Sequence, residues 1–280
     1  MLHETCLLVN LSINLPPQTR IAHKASNDVE RTYRTAKKQG RVTKSLFSAA
    51  DIKRLTKVMN EARTLFNELS LPYDSAYRIM PSVKYFEFVE KMAGVAERFD
   101  TQKVNFLREY HIILMRSEKV LGDLFDEDDY PSLEALENRI NFTIESSVIP
   151  AETAFDELAG LTPEAIEEMK AQALAGQQEK VEQALKDLFQ RLFSSLKKAS
   201  SKLADEDGIF RDTLIGNING ALEAVDSLNL TNNQELTDIA EEVKQVIEGI
   251  TPEGLRKDKE LRKHTAESTQ ELLKKMSNFF

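Results

Sequence analysis

Residues 126 to 129 read Asp-Glu-Asp-Asp, four consecutive side chains of the kind that a hard cation such as calcium takes as ligands. Counted from Asp126, the first, third and twelfth positions of a helix-loop-helix calcium loop are Asp126, Asp128 and Glu137, all carboxylates. The fifth is Tyr130, and the sixth is Pro131 where the loop needs a glycine at positive φ. Proline holds φ near about −65° and excludes that turn. A register starting at Asp123 places Phe125 third, with no side-chain oxygen. The stretch reads more simply as a joint. Leu121-Gly122 ends one helix, Pro131 and Ser132 open the next, and Asp128 or Asp129 sits near the new N-terminus, where the helix dipole favours negative charge. Leu124 and Phe125 are expected to pin this joint to the core, and no metal site is expected.

The other chemistry-bearing residues do not form a catalytic pattern. The histidines stand far apart, at 3, 23, 111 and 264, and none follows a Glu-x-x spacing of the di-iron type. His111 lies on a helical pattern without a partner motif. Glu87 and Glu90 share a helix face, a spacing also common on solvated helices. Phosphate-loop, dinucleotide, zinc-protease, nucleophile-elbow and Cys-x-x-Cys signatures are absent. The single cysteine, Cys6, lies in an apolar run and reads as a small buried hydrophobe in a reducing compartment. The expectation is a non-enzymatic protein without cofactor.

Two features point to binding. Residues 16 to 63 hold 12 Lys and Arg against 4 Asp and Glu, a net of +8 in a chain of net −9, which leaves −17 for the rest. Within the wider basic segment 20–63, Lys37, Lys38, Arg41 and Lys44 gather around a turn beside Tyr33. Such a cluster serves a nucleic acid or an acidic protein, or it is drawn to the acidic remainder of its own chain. The second feature is the terminal aromatic pair Phe279 and Phe280, which either docks on a partner or packs on its own bundle.

The elements that must position these residues are mainly helical. Val9, Leu11, Ile13 and Leu15 alternate with polar residues as a strand does; residues 41 to 47 and 142 to 150 read as two more strands, giving a small three-stranded sheet. Residues 18 to 39 read as a basic helix closed by Gly40. Ser48 to Asp51 forms a capping box, with Phe47 and Ile52 as its hydrophobic staple, and opens a helix to about residue 69. The segment 71–81 reads as a loop, followed by long helical patterns that either break at Asp100 or run through it. Beyond residue 160 only helices are expected. Thr162-Pro163-Glu164 and Thr251-Pro252-Glu253 both mark helix starts, and the last helix is expected to run from 252 to 277. A seam from Val181 to Leu203 suits either a bundle helix or a coiled-coil arm. The expected organisation is an α+β domain over residues 1–160 and a helical domain over 161–280. The start has no basic region before its broken apolar run, so no signal peptide is expected, and without a run of about 18 apolar residues no membrane span is expected.

Leu121, Gly122, Phe125, Asp129, Tyr130, Pro131 and Pro150 follow a pattern in which Leu-Gly-x-x-Phe leads to an Asp-Tyr-Pro turn and then a short strand ending in proline. In this the chain resembles, over roughly residues 1–160, a family of bacteriophage and prophage proteins without an assigned activity. Tyr73 and Ile149 depart from it, standing where the pattern has Trp and an extra proline or valine. Members of that family neighbour genes for MoxR-like AAA+ ATPases and von Willebrand factor A proteins. The resemblance implies an adaptor in the cytoplasm of an infected bacterium, with a host or phage protein such as an AAA+ ATPase as partner, and a homo-oligomeric state is compatible with the helical seams.

Overall fold

The computed structural model describes residues 2–156, 160–205 and 213–277. It is mainly α. In chain order the strands are β1 (Cys6–Asn14), β2 (Thr19–Ile21), β3 (Thr43–Ser45), β4 (Leu71–Pro72), β5 (Arg78–Pro81) and β6 (Asn141–Val148). The helices are α1 (Leu2–Thr5), α2 (His23–Tyr33), α3 (Ala49–Glu68), α4 (Tyr85–Leu121), α5 (Leu133–Arg139), α6 (Pro163–Ala204), α7 (Thr213–Leu228), α8 (Gln234–Ile247), α9 (Pro252–Lys257) and α10 (Lys259–Met276). Two compact units result. One comprises Met1–Asn10, Asn67–Phe88 and Ser146–Phe280, the other Leu11–Phe66 and Val89–Glu145. The boundary expected at residue 160 lies inside the first of these.

The first unit contains the hairpin that the sequence reading took for a loop. Asp74 makes its turn by accepting hydrogen bonds from the backbone N–H groups of Ala76 (2.8 Å) and Tyr77 (2.7 Å). Those bonds, that of Tyr77 first, hold the Asp74 carboxyl below the usual carboxylate range. The hairpin strands β4 and β5 pair antiparallel, and β5 pairs with β1 in the register Cys6↔Pro81 to Val9↔Arg78. The sheet order is β4-β5-β1-β6. The expected strand at 41–47 survives as β3, but pairs with β2 in a separate ribbon, so the three expected strands do not form one sheet.

The same unit is closed by helices. Thr162 caps α6 by accepting from the Ala165 N–H at 3.3 Å, with Pro163 in the first turn. Of the seam, Val181, Leu188, Leu192, Leu196, Ala199 and Leu203 are buried, and α6 packs against α7 and α10. The seam thus serves the bundle. Leu71 and Ile79 of the hairpin share this core with Leu222, Val243 and Leu272. The helix expected over 252–277 breaks at Asp258, whose extended backbone ends α9 and whose carboxylate accepts from Leu261 N–H at 3.0 Å to start α10.

In the second unit α3 begins as expected, with Ser48 and Asp51 exchanging backbone-to-side-chain bonds at 3.3 and 3.1 Å. Helix α4 runs unbroken through Asp100. Phe47 meets Phe106 and Tyr130 edge-on, with ring centroids 5.6 and 5.8 Å away. No helix among the described residues is long and apolar enough to cross a membrane.

Because Leu192 is fully buried in the α6 seam, Leu192→Ala is expected to lower unfolding free energy by about 2–5 kcal/mol. Met169→Ala, on a part of α6 that buries no residue, should stay within about 0.5 kcal/mol. Denaturant titration of both variants checks the contrast.

Candidate functional site

Of the cations that the sequence gathers around one turn, the second unit sends one inward and three outward. Lys44 lies on β3 with its side chain only 4% exposed. Its ammonium meets the Asp129 carboxylate at 2.6 Å and donates to the Leu124 carbonyl at 2.5 Å. This removes Lys44 from the set of partner contacts, because a charge buried at such cost stays with the groups that satisfy it.

The acidic joint is accordingly structural in its contacts. Asp126 accepts from the Asp128 N–H at 3.2 Å and opens a 3₁₀ turn over Glu127–Asp129, Asp129 faces Lys44, and Ser132 caps α5. Among the described residues no three His, Cys, Asp or Glu side chains group as a metal ion requires. Leu124 does not pin the joint with its side chain, which is partly exposed; its carbonyl does the holding. Tyr130 is the anchor instead. Its hydroxyl donates to the Leu46 carbonyl at 3.0 Å, where Ser117 also donates at 2.9 Å, and Phe125 packs on its ring at 5.3 Å. Tyr110 donates to the Pro131 carbonyl at 2.7 Å, and burial, followed by the neighbouring Tyr130, pushes its phenol up to about 12.

One further cation of the basic segment, Arg54, is spent between α3 and α4. Arg54 pairs with Glu109 at 3.5 Å, while Asp51 and Glu61 on α3 pair with Arg116 and Arg98 on α4. The polar cleft between these helices, lined by Arg54, Gln102, Asn105 and Glu109 among others, holds charged groups that already face one another.

The outward set is different. Lys37, Lys38 and Arg41 are exposed, as is Arg34, and their side chains form no ion pair among the described residues. Tyr33, the last residue of α2, is 74% exposed beside them. The turn that carries them is anchored at both ends. Arg34 ends α2 in the left-handed region at φ 53°, and the Glu30 carboxylate accepts from the Lys38 N–H. Gly40 does not cap the helix, as its position suggested. It lies against α2, where a Cβ would come within 2.9 Å of Val29 Cγ1. Buried Ser26 then receives the Val42 N–H at 3.0 Å, and the Ala22 N–H reaches the Val42 carbonyl at 2.9 Å.

The remaining sequence candidates separate. Phe279 and Phe280 lie outside the described residues. His111 is exposed on α4, Glu87 pairs with Lys84 at 3.1 Å, and Cys6 is buried with its thiol pushed up by that burial. Sequence reading missed Arg34 and the two tyrosines that hold the joint; the Asp-Tyr-Pro spacing of residues 129–131 was the available signal for Tyr130. No family model matches the chain, and no curated protein or solved structure matches it.

Two outcomes follow for the joint. Asp129→Asn leaves the Lys44 ammonium buried without its counter-charge and should cost about 1–3 kcal/mol, read by denaturant titration. The Tyr110 phenol is harder to ionise folded (about 12) than unfolded (about 10), so its contribution is whole below pH 10. About 2–3 kcal/mol is lost as pH rises from 10 to 12. Tyr110→Phe should flatten that part of the stability-pH curve.

Proposed function

We propose that this chain is a non-enzymatic interaction protein that engages an acidic surface of a protein partner through the turn at residues 33–41. The observation that carries the reading is the division of its cations. Lys44 and Arg54 are matched internally, while the side chains of Arg34, Lys37, Lys38 and Arg41 crowd one anchored turn and form no ion pair among the described residues. Four like charges on eight residues repel one another, and an acidic partner relieves that repulsion. The small footprint favours a protein patch over a nucleic-acid track, which draws affinity from many phosphate contacts in series. The resemblance of residues 1–160 to phage proteins supports the setting: an adaptor in the cytoplasm of an infected bacterium, with an AAA+ ATPase as the first partner to try.

The exposed Tyr33 favours a second reading, because an aromatic beside cations is what stacking on single-stranded nucleic acid uses.

One comparison separates the two. The native chain and a Lys37→Glu, Lys38→Glu, Arg41→Glu variant are purified from infected cells under mild conditions, and co-purifying proteins are identified. An acidic protein held by the native chain and lost from the variant is the expected result; recovery of the native chain alone overturns it. No mobility shift of nucleic acid at low salt is expected. A shift that weakens steeply with salt and vanishes in the variant transfers the site to nucleic acid.

A further inference from the structure

The first unit carries a surface of opposite character to the basic turn. Helices α7 and α8 pack together, and a groove of about 620 Å³ opens along them as far as Ile250. Ile215, Leu222 and Ile247, all nearly buried, form its floor. Its rim is acidic. Glu223 and Asp226 stand on α7 and Glu248 follows α8, and the one rim cation among the described residues, Lys244, is taken by Asp226 at 2.9 Å. Glu223 and Glu248 are thus left facing solvent over an apolar floor.

From this we propose that the acidic partner of the basic turn is a second copy of the chain, with the turn of one protomer seated in the α7–α8 groove of the next. This rests on the reading of the turn as a contact for an acidic protein surface. Charge complementarity argues for it. The segment 16–63 carries +8 and the rest of the chain −17, so approach of one copy's turn to another copy's groove is steered by opposite fields. Chemistry at the contact matches as well. Arg34, Lys37, Lys38 and Arg41 meet Glu223 and Glu248, and the exposed Tyr33 ring supplies an apolar anchor for a floor of isoleucine and leucine. A turn and a groove are different patches, so the contact is head-to-tail; assemblies of this kind grow past the dimer, as rings or open chains.

The test uses the full chain in analytical ultracentrifugation at low salt, about 50 mM, where a Debye length of roughly 14 Å leaves surface charge effective. Mass above that of the 31.8 kDa monomer, rising with concentration and falling at about 0.5 M salt, is expected. Lys37→Glu, Lys38→Glu and Arg41→Glu together, and separately Glu223→Lys with Glu248→Lys, should each weaken association at least about tenfold while circular dichroism stays native. Mixing the two variants restores each contact with its charges reversed or kept, so association should return. A single monomeric species throughout, association indifferent to both variants, or no recovery on mixing overturns the proposal. If the chain stays monomeric while the turn variant still loses an acidic protein in infected cells, self-docking fails and the function proposed above stands.

Discussion

A lysine ammonium with almost no solvent access has to find its charge partner inside the protein, and that requirement organises the second unit. Lys44 sits on a three-residue strand, too short to hold much by backbone pairing alone. Its side chain reaches the Leu124 carbonyl, 80 residues along the sequence, and Asp129, 85 residues along it. The acidic run is therefore shaped by two needs. One carboxylate neutralises Lys44, and another, Asp126, starts the 3₁₀ turn that aims Asp129 at it. Tyr130 and Tyr110 follow from the same constraint. Their hydroxyls satisfy carbonyls on either side of the joint, at Leu46 and Pro131, so the chain next to the buried charge has few alternative conformations.

The charge imbalance along the chain acquires a physical meaning once the cations are followed one at a time. Part of the basic segment is internal electrostatics. The pairs Arg54 to Glu109 and Arg98 to Glu61 are half-exposed and contribute little stability each, whereas the Lys44 contact is desolvated and strongly tied to its partner. Arg34, Lys37, Lys38 and Arg41 instead project from a turn, and their side chains form no ion pair among the described residues. Their repulsion is tolerated at the surface because solvent and salt screen it, and it becomes useful energy when a surface of opposite sign arrives.

Sequence signals worked where the chemistry is local. The capping box at Ser48 and Asp51, the Thr-Pro-Glu starts at 162 and 251, and the end of α4 at Leu121 and Gly122 depend on residues within four positions of one another. The β4–β5 hairpin was hidden because strands of two and four residues carry no readable alternation, and Leu71 with Ile79 is buried as a pair only when folded. The break at Asp258 was hidden by the continuous helical texture of residues 252–276. The fate of Lys44 was illegible for a different reason. Its identity as a cation was plain, but the carboxylate that claims it lies 85 positions away, and Lys37, Lys38 and Lys44 look alike until the ribbon turns one of them inward.

What distinguishes the outward cations from an ordinary solvated face is the way their turn is held. An exposed loop of nine residues loses conformational freedom on binding, and that loss weakens the contact it makes. Here much of the loss is met during folding. Glu30 captures the Lys38 N–H, Gly40 lies too close to Val29 for any side chain, and Ser26 ties Val42 to the first turn of α2. The backbone between Tyr33 and Arg41 is therefore closed at both ends while the cationic side chains stay exposed. On the proposed reading a partner would meet charges already displayed on a fixed frame, set by a buried serine and a glycine without room for a Cβ.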